Sequence, residues 1–224
     1  MSHTIGAVTV GQSPRDDVIP IILGHLGGGI RVLQCGALDG CKPDEIATAA
    51  ACDSDVLLVT RLRNGDEVRV SRSVIVPLLS DCVRSLEDQV ELILVLCTDP
   101  FHEMKCSKPL LSPDRLLADT VVKLGVGRLG VLVPAEEQVA QQRGKWSELV
   151  PDVYLEAASP YGGSEQVKAA ARSLSSAAVD LVVMDCIGYT EAMKHTVHAA
   201  VRRPVLLASE TLAQAARDVL EQGR

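Results

Sequence analysis

Short runs rich in Val, Ile and Leu alternate with helical patterns along almost the whole chain, and that alternation predicts βαβ units around a parallel sheet. Strands are predicted at about Ile5 to Val10, Ile30 to Gln34, Asp55 to Leu62, Leu92 to Leu96, Arg128 to Val133, Val153 to Ala157, Leu181 to Asp185 and Val205 to Leu207. Helices fill most of the gaps. The packing material agrees: hydrophobic residues make up 47% of the chain but aromatics only 2%, so the interior is built from Val, Leu, Ile and Ala, as in buried strands covered by helices. The predicted fold class is α/β. A chain of 224 residues accommodates one large domain of this kind or two small ones.

A repeat favours two. Lys108-Pro109-Leu110-Leu111-Ser112, followed by Leu116-Leu117-Ala118, resembles Arg203-Pro204-Val205-Leu206-Leu207, followed by Leu212-Ala213. Each copy comes after a strand that ends in a cysteine. The first half carries an insertion between about Ala51 and Val76, where Asn64-Gly65, flanked by Leu62-Arg63 and Glu67-Val68-Arg69-Val70, predicts a β-hairpin with a type I′ turn. The expected architecture is two pseudo-symmetric α/β halves with mainly parallel sheets facing a shared cleft. The first half takes residues 1–110, with 208–224 packing back on it and a hairpin near 55–71, and the second takes 111–207.

The net charge of −7 and a pI near 5.2 argue against nucleic acid or an anionic membrane surface as partner. The N-terminus lacks the basic flank and apolar core of a signal peptide, and no apolar run reaches the length of a membrane span, so a cytoplasmic location is expected. Seven cysteines, irregularly spaced and several of them within apolar runs, suggest reduced thiols rather than a disulfide framework. No CxxC occurs, so neither a zinc knuckle nor a thioredoxin-type site is signalled.

The residues with chemical promise are Cys97, in Leu94-Val95-Leu96-Cys97-Thr98-Asp99, and Cys186, in Val182-Val183-Met184-Asp185-Cys186-Ile187-Gly188-Tyr189-Thr190. Both follow apolar strands and precede polar loops, and ligands of open parallel sheets bind beyond the carboxyl ends of the strands. A thiol beside a helix N-terminus there gains thiolate character. Two halves facing each other would set the cysteines across one cleft, with Gly11-Gln12-Ser13-Pro14-Arg15 reaching the same place. Cysteine is also a small, commonly buried residue, and Cys35, Cys41, Cys52, Cys82 and Cys106, which lack the matched placement, are read as structural.

Those motifs, together with Gly36-Ala37-Leu38-Asp39-Gly40 and Thr60-Arg61-Leu62, resemble the AroM family, within the broader aspartate/glutamate/hydantoin racemase-like superfamily. The resemblance covers the whole chain. It implies a cofactor-independent racemase, epimerase or isomerase that acts on a small carboxylate-containing compound, with Cys97 and Cys186 as acid/base pair, no pyridoxal phosphate and no metal. It also suggests a homodimer. Two alternatives remain open: a lyase or decarboxylase using one cysteine, and a carboxylate-binding protein without catalysis. The neighbours of the cysteines differ from those of amino-acid racemases of the superfamily, which have Asn-Thr where this chain has Thr98-Asp99 and Thr-His where it has Ile187-Gly188.

Gln12, Ser13 and Arg15 are candidates for holding a substrate carboxylate, Arg15 by a bidentate pair. Thr98, Asp99, Gly188, Tyr189 and Thr190 complete the candidate site. Ser13-Pro14-Arg15-Asp16 equally reads as a helix cap, with Pro14 at the first helical position. Gly125-Val126-Gly127-Arg128-Leu129-Gly130 matches GxGxxG but leads from a helix into a strand, the reverse of the dinucleotide-binding order, so it predicts a helix stop at Gly125. Glu191, His195 and His198 share one helix face without a fourth ligand, which predicts a solvated face.

Overall fold

The computed structural model describes residues 3–49 and 56–222. The described residues fall into two compact units, one within Met1–Ser112 together with Leu212–Arg224, the other Pro113–Thr211.

In the first unit β1 (His3–Thr9), β2 (Ile30–Gly36), β5 (Ile93–Leu96) and β6 (Leu110–Leu111) form a parallel sheet in the order β2-β1-β5-β6. Helices α1 (Ile19–Leu26), α2 (Pro43–Ala49) and α3 (Arg72–Leu86) follow β1, β2 and the inserted hairpin β3 (Leu57–Arg61) and β4 (Glu67–Ser71). The second unit repeats the plan: β7 (Arg128–Val133), β8 (Asp152–Ala157), β9 (Leu181–Met184) and β10 (Val205–Leu207) form a parallel sheet ordered β10-β9-β7-β8. Helices α4 (Pro113–Leu124), α5 (Val139–Ser147), α6 (Ser164–Ser176), α7 (Glu191–Val201) and α8 (Ala208–Gln222) complete the described elements. No helix among the described residues is long and apolar enough to cross a membrane.

The central strands β5 and β9 are buried along their whole length, which is why they read as unbroken apolar runs rather than as alternation. Each unit packs its own core: Val8, Ile75, Leu79, Val83, Ile93 and Val95 in one, Leu132, Ala171, Leu174, Val182, Met184 and Val197 in the other. Fully burying one such aliphatic side chain is worth about 1.5–3 kcal/mol, so these clusters carry the folding of each unit.

The repeated segments prove equivalent in detail. Ile93 donates its N–H to Pro109 O at 2.9 Å and Val182 donates to Pro204 O at 3.0 Å, so Lys108-Pro109 and Arg203-Pro204 lead into matching strands. The short β6 was not separately expected as a strand; with two residues it is too brief to show a period. Gly125 has φ +60 and its N–H reaches back to Val121 O, ending α4 as the sequence predicts.

Three expectations need correction. The hairpin is present, but its turn is not type I′, because only Gly65 (φ +95) has positive φ among its central residues. Leu62 pairs with Asp66, and Gly65 N–H donates to Leu62 O, giving a three-residue loop that places Gly65 at the left-handed position. Next, Ser13-Pro14 does not cap a helix: the Ser13–Pro14 bond is cis and α1 starts only at Ile19. Finally, Cys35 on β2 and Cys82 on α3 are joined in a disulfide with Cα atoms 5.5 Å apart, so not every thiol is free. The helix packs that face onto the strand, and such a distance suits bridging. Cys52 and the start of the expected strand at Asp55 lie outside the described residues.

Candidate functional site

Backbone register gives the two cysteines the same address. Ile93 and Val182 are equivalent through their bonds to Pro109 and Pro204, and the fourth residue beyond each is Cys97 and Cys186 respectively. Both thiols therefore leave the second strand of a β1-β5 or β7-β9 pair at its carboxyl end. They are not identical in setting. Cys97 is half-buried and enters a loop that runs to β6 without a helix, whereas Cys186 is buried and leads toward the N-terminus of α7. The expected helix N-terminus follows only the second cysteine.

At the same end of the first sheet, Gly11 and Gly36 let two loops touch. A Cβ on Gly36 would lie 2.5 Å from Gly11 O and 2.7 Å from Ser13 N, and one on Gly11 would lie 2.5 Å from Thr60 Oγ1. Asp39 ties the loops together: its carboxylate accepts from Ser13 N (2.7 Å), Ser13 Oγ (2.6 Å), Gly36 N (2.8 Å) and Arg63 at the hairpin tip (3.3 Å). Arg63 also donates from Nε to Ser13 O at 2.7 Å, and its backbone N–H donates to Gln12 Oε1 at 3.0 Å. Gln12 Nε2 donates to Leu38 O at 3.2 Å. Gln12 and Ser13 thus sit in one network with the inserted hairpin. Both donors of Ser13 go to Asp39, and α1 begins only at Ile19, beyond the reach of a Ser13 cap.

Arg15 is buried, with 3% exposure, and its guanidinium fork is filled by Asp17, Nε and Nη2 each donating at 2.8 Å while Nη1 donates to Thr9 Oγ1 at 2.9 Å. The bidentate partner expected in a substrate is an internal carboxylate instead. Burial pushes the Asp17 carboxyl up, but the hydrogen bond and charge of Arg15, with the charge of Arg61, outweigh it and hold Asp17 below its ordinary value.

Thr98 and Asp99 are both buried. Asp99 Oδ2 accepts from Arg72 Nε at 3.0 Å, and Arg72 also binds Pro100 O (2.6 Å) and Glu103 (2.8 and 2.9 Å) and lies over the Phe101 ring at 5.4 Å. The Glu103 hydrogen bond, with that of Asp99, raises Arg72 above its ordinary range despite burial. Arg72, the first residue of α3, therefore holds the loop that follows Cys97.

In the second unit Asp185, beside Cys186, is 2% exposed, and its Oδ2 accepts from Trp146 Nε1 at 2.8 Å and from Lys145 Nζ at 3.2 Å. Tyr189 is fully buried and donates its hydroxyl to Ala158 O at 2.7 Å, so it braces the loop against the end of β8. Thr190 caps α7, accepting from Met193 N at 3.3 Å. Gly188 lies under Tyr161, whose Cζ would be 2.7 Å from a Cβ there. Glu191, His195 and His198 are exposed, and His198 Nδ1 meets Arg203 O at 2.9 Å.

Sequence reading missed Asp39, Arg72, Lys145, Trp146 and Tyr161. Asp39 stands in a motif that resembles the family, which was the available signal. Arg72 and Lys145 lie 27 and 40 residues from the carboxylates they meet, and no pattern in the sequence links them. An open cavity of about 910 Å³ lies between α2 and the hairpin in the first unit, lined by Cys41, Ile46, Leu62 and Val68 with Gln12 and Arg63. Of the expected site residues it takes in Gln12. Within either unit, no three His, Cys, Asp or Glu side chains among the described residues converge closely enough to hold a metal ion.

A family model described as AroM protein matches residues 5–220. The curated proteins give no match. Among solved structures, allantoin racemase from Klebsiella pneumoniae is similar at a TM-score of 0.63 and 11% identity, over 99% of this chain and 89% of that one. The maleate isomerase Iso from Pseudomonas putida S16 gives 0.65 and 14%, over 99% and 94%, and arylmalonate decarboxylase gives 0.65 and 13%, over 99% and 94%. At these identities the likeness shows a shared fold.

Proposed function

The chain belongs to the AroM family, and from that premise we propose that it is a cofactor-independent isomerase of the racemase or epimerase type, acting on a small carboxylate-containing compound through Cys97 and Cys186. The observation that carries this reading is the equal register of the two cysteines at the carboxyl ends of equivalent strands. Named structures with this fold include a racemase and an isomerase. One thiolate takes the proton from the carbon next to the carboxylate, the electron pair is delocalised into that carboxyl group, and the other thiol returns a proton to the opposite face. The cysteines exchange protonation states in each turnover and no redox partner is needed. Gln12, Ser13, Thr98 and Asp99 in the first unit and Gly188 and Thr190 in the second are the candidates for binding the carboxylate, while Arg15 and Tyr189 act on their own loops through Asp17 and Ala158.

The test is deuterium wash-in at the α-carbon of chiral amino acids and hydroxy acids in heavy water. Exchange by the wild type that falls at least a hundredfold in both Cys97→Ser and Cys186→Ser supports the proposal. Undiminished exchange in both variants sinks it.

A second reading is favoured by the unequal burial of the thiols. In a lyase or decarboxylase, one cysteine protonates the carbanion left when a carbon–carbon bond breaks and carbon dioxide departs. Loss of turnover in one variant only selects this reading. Ligand-induced stabilisation without turnover, retained in the double Cys→Ala variant, selects a carboxylate-binding protein.

A further inference from the structure

Each strand-end thiol has a buried carboxylate within two residues, and each carboxylate is met by a cation from a helix of the same unit. Asp99, two residues after Cys97, is 4% exposed and pairs with Arg72 at 3.0 Å, and Asp185, immediately before Cys186, is 2% exposed and pairs with Lys145 at 3.2 Å. The two clamps are not copies of one ancestral contact. Asp185 stands at the register position of Leu96, not of Asp99, and the cations come from α3 in one unit and α5 in the other. Each clamp has a second restraint: Arg72 also grips Pro100 O and Glu103, while Trp146 Nε1 shares the Asp185 oxygen and Lys145 lies 4.7 Å from the Trp146 ring centre.

We propose that Arg72 and Lys145 are positioning residues for the two thiols, each balancing the buried carboxylate beside its cysteine. The proposal rests on the reading of Cys97 and Cys186 as the reacting groups. A buried carboxylate without its cation would oppose thiolate formation next to it by like-charge repulsion, and one pKa unit is a tenfold change in the thiolate present well below the pKa. The other charged or titratable groups on these loops are His102, Glu103, itself bound to Arg72, Lys105, Cys106 and Lys108 after Cys97, and Glu191 in the first turn of α7 after Cys186.

Thiol alkylation tests this without any substrate, so its outcome is independent of whether isotope exchange is found. The full-length protein is treated with iodoacetamide or N-ethylmaleimide at constant pH, and the rate at each cysteine is read by peptide mass spectrometry, with Cys41, a free thiol outside both loops, as internal reference. Arg72→Met should slow Cys97 about tenfold and leave Cys41 unchanged, and Lys145→Met should do the same to Cys186. Asp99→Asn and Asp185→Asn should speed the same thiols, and the double variants Arg72→Met/Asp99→Asn and Lys145→Met/Asp185→Asn should return toward wild type. Arg72→Lys should keep the wild-type rate. A purely structural role predicts a different result: the Met variants would loosen the loops and speed alkylation of Cys97 and Cys186, with Cys106, on the Cys97 loop, speeded in Arg72→Met. That result overturns the proposal. Should a Met variant fail to fold, the Asn variants decide, and an unchanged or slower thiol in them overturns it equally.

Discussion

Gly36 leaves no room for a methyl group, since its Cβ position lies 2.5 Å from a carbonyl oxygen and 2.7 Å from an amide nitrogen of the neighbouring loop. Both atoms belong to backbone and cannot swing aside. Gly36→Ala should therefore cost about 1–3 kcal/mol, as overpacking does, and urea unfolding monitored by circular dichroism measures it. Asp17 makes a different prediction. Its carboxyl is held below its ordinary value of 3.8, so it contributes stability that is fully present above the unfolded pKa and is lost as the pH falls through the folded one. Asp17→Asn should lower Tm at neutral pH, and the gap from wild type should close below about pH 4. Thermal melts across that range would refute the assignment if the gap persisted in acid. Burial raises the Cys41 and Cys106 thiols above their ordinary value, with Glu45 and Glu87 adding to the effect, which suits the use of Cys41 as a slow reference thiol.

At the scale of elements, α2 and the hairpin β3-β4 are what the first unit has beyond the second, since α3 leads into β5 as α6 leads into β9, and the hairpin and the head of α3 both reach the sheet end where Cys97 emerges. Arg63 of the hairpin turn binds Ser13 and Asp39, and Arg72 at the head of α3 binds Asp99. The insertion is legible from Asn64-Gly65 and the flanking alternation, but the turn type was not. A type I′ turn needs positive φ at both central positions, and the Leu62–Asp66 pairing makes Gly65 alone adopt it. The Cys35–Cys82 bridge joins β2 to α3 across 47 residues of chain. Closing a loop of that length stabilises by about 4 kcal/mol through the unfolded chain, so reduction with a phosphine should lower Tm, and Cys35→Ala/Cys82→Ala should match the reduced protein. A melt indifferent to reductant would argue against the bridge.

For the whole molecule, two units with the same strand order explain why two distant cysteines share one register, and why the exchange experiment must be run on each cysteine separately. Cys97→Ser and Cys186→Ser should each retain wild-type far-ultraviolet circular dichroism while losing isotope exchange, because serine nearly conserves the size of the thiol. The sequence by itself determined the α/β class, the strand positions, the repeat and the strand-end cysteines, since these follow from local apolar periodicity and short turn signals. Only the tertiary structure decided that Tyr189 braces its loop on Ala158, that Cys35 meets Cys82, and that Arg72 and Lys145 reach Asp99 and Asp185. The physical reason is that a charge or thiol finds its partner according to which helix packs over which strand. Residues 27 to 47 positions apart carry no shared period that could announce the contact.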